Sequence, residues 1–156
     1  MKSASEAICL EEIPDEVSFS LAISNCPCRC QGCHSQYLWE DVGRDAFNVL
    51  DKYLKENSNL ITCVLFLGGD DDKQKDDLIN CLKYIRLNYP TLKTALYSGS
   101  NQVPKNIINL LDYVKVGPYV KERGGLNNPN TNQRLYRIEN GYLNDITEVF
   151  WKKPYS

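Results

Sequence analysis

The amino-acid sequence predicts an α/β fold built on parallel strands, and three observations predict it. Short apolar runs rich in β-formers alternate with segments whose apolar residues recur every three or four positions. The connections between them are short, as in consecutive strand–helix units. Glycine or other turn-forming residues close each run, which puts loops at the C-terminal ends of the strands, where ligands gather in such folds.

Val17 to Ser24 (VSFSLAIS) alternates and then turns apolar, so it reads as the first buried strand, running directly into the turn-forming Asn25-Cys26-Pro27. With Asp45 as N-cap, Phe47, Leu50, Tyr53 and Leu54 mark the first helix up to about Asn57. Leu60 to Leu67 (LITCVLFL) is a continuous apolar run closed by Gly68-Gly69, the pattern of a strand covered on both faces. The acidic stretch Asp70 to Asp72 then starts a second helix, whose stripe is Leu78, Cys81, Leu82, Ile85 and Tyr89 before Pro90.

Leu92 to Tyr97 repeats the strand pattern and opens into the loop Ser98-Gly99-Ser100-Asn101; Pro104 to Leu111 follows as a short helix. Tyr113 to Val116 is a further strand, ended by Gly117-Pro118. The segment from Lys121 to Gln133 has two glycines, a proline and four asparagines, which marks a long ordered or partner-ordered loop. Arg134 to Ile138 and Leu143 to Trp151 read as a hairpin about Asn140-Gly141, a strong turn dipeptide. No repeat, low-complexity tract or linker divides residues 1–156, so they form a single domain in which 1–16 are peripheral and 119–133 are a long functional loop.

The formal net charge is -2, which gives no reason to expect nucleic acid or an anionic membrane as partner. No apolar run approaches the roughly 20 residues of a membrane span, and Met1 to Glu12 lacks a secretory pattern. The expected location is the cytoplasm. There thiols stay reduced, and seven cysteines point to metal or catalysis rather than disulfides.

Cys26, Cys30 and Cys33 stand in a C-x3-C-x2-C arrangement on the loop after the first predicted strand, with Cys28 between them. Thiolates so closely spaced converge on one metal centre, zinc or iron-sulfur. A structural zinc site wants a fourth ligand, whereas a cubane cluster held by three cysteines keeps one iron open to a substrate. Cys28 is a bystander to this spacing; Cys63, mid-strand, and Cys81, on a helix stripe, read as small core hydrophobes, and Cys9 has no context.

The motif Cys26-x3-Cys30-x2-Cys33 resembles the signature of the radical S-adenosylmethionine (SAM) enzymes, and Gly68-Gly69-Asp70 resembles their turn that contacts the SAM amino group. Within that superfamily the chain is similar to the activating proteins of anaerobic ribonucleoside-triphosphate reductase. The similarity rests on Cys30-Gln31-Gly32-Cys33-His34-Ser35, Trp39, Tyr97-Ser98-Gly99, Asp112 to Tyr119 and Asn132-Gln133-Arg134-Leu135, and it covers Ser18 to Ile138.

The resemblance implies a single-domain incomplete (β/α) barrel with parallel strands, open on one side so that a partner's glycine loop can enter. It implies a [4Fe-4S] cluster on Cys26, Cys30 and Cys33, and SAM bound by Gly32, Cys33, His34, Gly68, Gly69 and Asp70. An electron from a flavodoxin-like reductant would cleave SAM to methionine and a 5′-deoxyadenosyl radical, which takes a hydrogen from a glycine of the reductase's glycyl radical subunit. No side chain is assigned as acid or base.

The chain departs from the family pattern in three places. Asp71 and Asp72 follow Gly68-Gly69-Asp70 where proline is usual, Val116 replaces an acidic residue, and His34 stands where an aromatic residue is common and could take that place against the adenine. A lone histidine is more often structural, and that reading stands beside the SAM contact. Two rival functions also remain: an activase or small radical SAM protein with another substrate, and a non-catalytic zinc-binding interaction module.

Overall fold

The computed structural model describes residues 1–25 and 40–151. They form a mixed α/β structure around one eight-stranded sheet in the order β3-β1-β2-β4-β5-β6-β7-β8. The strands are β1 (Lys2–Cys9), β2 (Ser18–Ile23), β3 (Arg44–Asp45), β4 (Cys63–Leu67), β5 (Lys93–Tyr97), β6 (Tyr113–Val116), β7 (Arg134–Glu139) and β8 (Tyr142–Asp145). The helices are α1 (Ala46–Asn57), α2 (Lys75–Asn88) and α3 (Lys105–Ile108).

The centre of the sheet is parallel: β2 pairs with β4, β4 with β5 and β5 with β6. Each new parallel strand is added on the same side of the last, with a helix in each crossover. Winding in one direction puts all the helices on one face. There Leu21, Val64, Phe66, Leu96 and Val114 pack against Leu50 and Leu54 of α1, Leu82 and Ile85 of α2, and Ile107 of α3. The alternate strand residues, Cys63, Leu65, Ala95, Tyr113 and Leu135, form a second core with Ile13 on the opposite face.

Local chemistry explains the ends of these elements. The Asp45 carboxylate accepts a hydrogen bond from the Asn48 backbone N–H at 3.0 Å, as an N-cap should. Asp45→Ala is therefore expected to lower the stability of the protein by about 1 kcal/mol, read as a lower urea midpoint at unchanged slope. Asn140 and Gly141 both have positive φ, +51° and +81°, the geometry of a two-residue hairpin turn between β7 and β8.

Several elements differ from the sequence expectation. Residues 2–9 form a strand, β1, antiparallel to β2, where no element was expected. Its exposure alternates only weakly, because it lies near the sheet edge and carries serine and glutamate. Leu60 ends a 3-10 turn and is largely exposed, so the second expected strand begins at Cys63. Asp70 to Asp72 do not start α2, which begins at Lys75 with Asp76 and Asp77 in its first turn. The Asp71 carbonyl instead accepts from the Gln74 and Lys75 N–H groups and closes a separate turn.

Strand β8 stops at Asp145, whose carboxylate accepts from both the N–H and the hydroxyl of Thr147. That side-chain turn ends the ladder and begins a 3-10 segment that packs Phe150 against the second core. Among the described residues, no helix is long and apolar enough to cross a membrane.

Candidate functional site

Parallel strands bring their C-terminal ends to one edge, and register fixes which ends are neighbours. Ala22 of β2 pairs with Leu67 of β4, and Leu67 with Tyr97 of β5. The next residues on each strand, Ser24-Asn25, Gly68-Gly69-Asp70 and Ser98-Gly99, therefore share that edge. A cleft of about 970 Å³ opens there, within the range of small-molecule sites. Ile23, Ser24, Asn25, Gly68, Gly69, Asp70 and Gln74 are among its lining residues.

Gly68 and Gly69 both adopt φ of +99°, a conformation open to glycine and strained for other residues. A Cβ on Gly69 would also lie 2.8 Å from the Met1 sulfur and 3.6 Å from the Ile23 side chain. The turn is thus narrow on its protein side and bare on its backbone. β1, unexpected from sequence, supplies Met1 and Lys2 to the cleft. The Met1 amino group is held by Asp77 at 2.8 Å.

Asp70 is half-buried at the end of this turn, and the Ser98 hydroxyl donates to its Oδ2 at 2.6 Å. Burial raises the Asp70 carboxyl above its ordinary value, and the Ser98 bond pulls weakly the other way. Asp71 has a different task. Gln74 Nε2 donates both to Asp71 Oδ1, at 2.7 Å, and to the Ser24 carbonyl, at 3.2 Å. Buried Gln74 thereby ties the turn after β4 to the end of β2, a role no sequence signal indicated. Asp72 is exposed and pairs with Lys75.

The ends of the cysteine-bearing segment are drawn together. The Asn25 N–H donates to the Glu40 carbonyl at 3.2 Å, and Asn25 Nδ2 to Asp41 at 3.0 Å. The segment therefore leaves and rejoins the structure at the mouth of the cleft. Cys26, Cys28, Cys30, Gly32, Cys33, His34 and Trp39 themselves lie outside the described residues. Three soft thiolate donors anchored at this edge fit an iron-sulfur cluster by their chemistry. Among the described residues no other group of three His, Cys, Asp or Glu side chains gathers as a metal site.

The remaining described cysteines are placed as the sequence predicts for two of them. Cys63 and Cys81 are buried in the two cores, and burial pushes both thiols up to about 12, leaving neither as a thiolate. Cys9 is on β1, where its thiol lies 3.4 Å from the Ser20 hydroxyl.

The long loop carries its own bonds. Arg123 donates to the Asn130 carbonyl at 2.8 Å, and the Thr131 hydroxyl to the Gly124 carbonyl at 3.0 Å. Asn132 and Gln133 fold back on the turn after β6, donating to the carbonyls of Pro118 and Gly117. Arg134 stacks near the Trp151 ring and pairs with Asp145.

No curated protein and no solved structure matches the chain. A family model does: that of the 4Fe-4S single cluster domain, over residues 16–138. The match runs from two residues before β2 through the cysteine segment, the turn after β4 and the long loop to β7, so it takes in the whole strand edge just described. Over most of its length, therefore, the chain belongs to the 4Fe-4S single cluster domain family.

Proposed function

We propose that this protein is a radical SAM activase that generates the glycyl radical of an anaerobic ribonucleoside-triphosphate reductase. One juxtaposition carries the reading: the stem of the three-cysteine segment and the Gly68-Gly69-Asp70 turn leave adjacent parallel strands into one cleft. The stem of a cluster donor set and a bare, acid-ended turn suited to an amino group are thereby neighbours. When bound, the cluster supplies the electron that cleaves SAM and releases the hydrogen-abstracting deoxyadenosyl radical.

The chain's own residues bind and orient. Cys26, Cys30 and Cys33 hold the cluster, and Gly68 and Gly69 let backbone approach the ligand without Cβ interference. Asp70 receives the amino group, and Gly32, Cys33 and His34 complete the contacts on the cysteine side. The one-directional winding of β2, β4, β5 and β6, with helices on a single face, supports an incomplete (β/α) barrel open on one side. The glycine loop of the reductase would enter that opening beside the 119–133 loop, and a flavodoxin-like protein would deliver the electron.

The test is anaerobic reconstitution with iron and sulfide, reduction with dithionite, and chromatography for 5′-deoxyadenosine and methionine. The reductase subunit is then added and its glycyl radical sought by electron paramagnetic resonance. SAM cleavage followed by a radical on the reductase is the expected result. A reconstituted cluster that never cleaves SAM, even with the reductase present, would overturn the reading. A radical raised only on a different glycyl radical enzyme would reassign the partner.

A further inference from the structure

Among the described residues, the Ser24 hydroxyl is the one polar side chain lining the cleft that is buried without a hydrogen-bond partner. Ser24 is fully buried and lines the cleft, and no described residue forms a hydrogen bond with its Oγ. Its backbone, in contrast, is held on both sides. The N–H donates to the Lys2 carbonyl at 3.1 Å, and the carbonyl accepts from Gln74 at 3.2 Å. Gln74 is itself fixed by Asp71 at 2.7 Å. The bracing leaves Ser24 little freedom to turn away, and a buried hydroxyl without a partner is costly unless something fills the site.

The charges of the cleft say what kind of group that is. Asp41, Asp70, Asp71 and Asp72 line it against Lys2, Lys73 and the Met1 amino group, the last already paired with Asp77, so acidic groups outnumber basic ones and it favours a ligand carrying positive charge. Asp70 can accept from an ammonium while Ser98 holds its other side. A carboxylate on the same ligand would need a donor, and the unspent Ser24 O–H supplies one without a second negative charge.

We infer that Ser24 is a binding residue of this cleft, donating its hydroxyl proton to the carboxylate of an α-amino-acid head group whose ammonium is accepted by Asp70. The inference rests on the reading of the cleft as a SAM site and adds a contact just past the end of β2, outside the cysteine and glycine motifs.

The test measures equilibrium binding to the anaerobic, cluster-loaded protein, with SAM and with decarboxylated SAM as the two probes. Iron and sulfide content establish equal cluster loading in wild type and Ser24→Ala. Ser24→Ala is expected to weaken SAM about tenfold, the loss of one hydrogen bond to a charged group, and to leave decarboxylated SAM unchanged. Equal weakening of both probes would overturn the inference, since Ser24 would then act on the site as a whole. No change with either would also overturn it, because the hydroxyl would not meet the ligand. Wild type failing to bind SAM would instead remove the SAM reading on which the inference stands.

Discussion

Cys30→Ala is expected to yield a folded protein that retains almost no iron or sulfide after reconstitution and forms no 5′-deoxyadenosine above background. The middle cysteine of a C-x3-C-x2-C segment has no substitute nearby except Cys28, which is two residues away and out of the spacing. Cys63 and Cys81 are buried in the cores with thiols pushed up to about 12, so neither can replace it. Cys28→Ala is the matched control and should keep both cluster and cleavage. The contrast separates ligation from mere cysteine content. If Cys28→Ala lost the cluster while Cys30→Ala kept it, the assignment of Cys26, Cys30 and Cys33 would fall. Folding should survive in either variant, because the hydrophobic cores are built from the helices and strands flanking the segment.

Much of the strand–helix framework was legible because burial writes itself as periodicity. Strand β6 coincides with its expected bounds, and α1 begins at its expected cap, Asp45. The α2 stripe Leu78, Cys81, Leu82 and Ile85 is buried as its spacing predicts. What failed lacked such a pattern. β1 carries Ser3 to a buried position and Glu6 to a half-buried one, where the Ser3 hydroxyl donates to Glu6, so its pairing with β2 is recorded in backbone bonds rather than in apolar alternation. Asp70 to Asp72 looked like a helix start because acidic residues favour one. The same chemistry, four residues later, serves at Asp76 and Asp77, while the earlier aspartates close a turn.

The site was legible only where spacing carries chemistry. Three cysteines within eight residues, and paired glycines after an apolar strand, announce themselves in one dimension. Ser24 and Gln74 do not. A serine at a strand end and a glutamine before a helix are ordinary, and their importance comes from the register that sets β2 beside β4. The same geometry gives Asp71 a meaning the sequence left open. Where the activating proteins it resembles usually have proline, this chain holds its turn with bonds that Gln74 donates to Asp71 and to the Ser24 carbonyl at the stem of the cysteine segment.

Asp70→Asn is expected to weaken SAM binding between about tenfold and a hundredfold, since it removes a charge-assisted hydrogen bond to the ligand's ammonium. The variant keeps the shape of the side chain and an oxygen that can still accept from Ser98. Its effect on stability should have the opposite sign. Burial raises the Asp70 carboxyl in the folded protein, so the folded state holds the proton more tightly than the unfolded chain does. Asp70 thus favours folding below its unfolded value, near the ordinary carboxylate range, and that contribution is lost as pH rises through the raised folded value. At neutral pH the buried charge opposes folding, and asparagine relieves it. The ligand-free, cluster-loaded variant should therefore melt at or above wild type at pH 7, with the difference shrinking or reversing as the pH falls through that range. SAM affinity of the wild type should decline over the same fall in pH, as the carboxylate that attracts the ammonium is protonated, while the variant's affinity stays flat. A variant that binds SAM as tightly as wild type would show that the ammonium is met elsewhere. One that melts well below wild type at neutral pH would make Asp70 a structural partner of Ser98 instead of a charge held ready for a ligand.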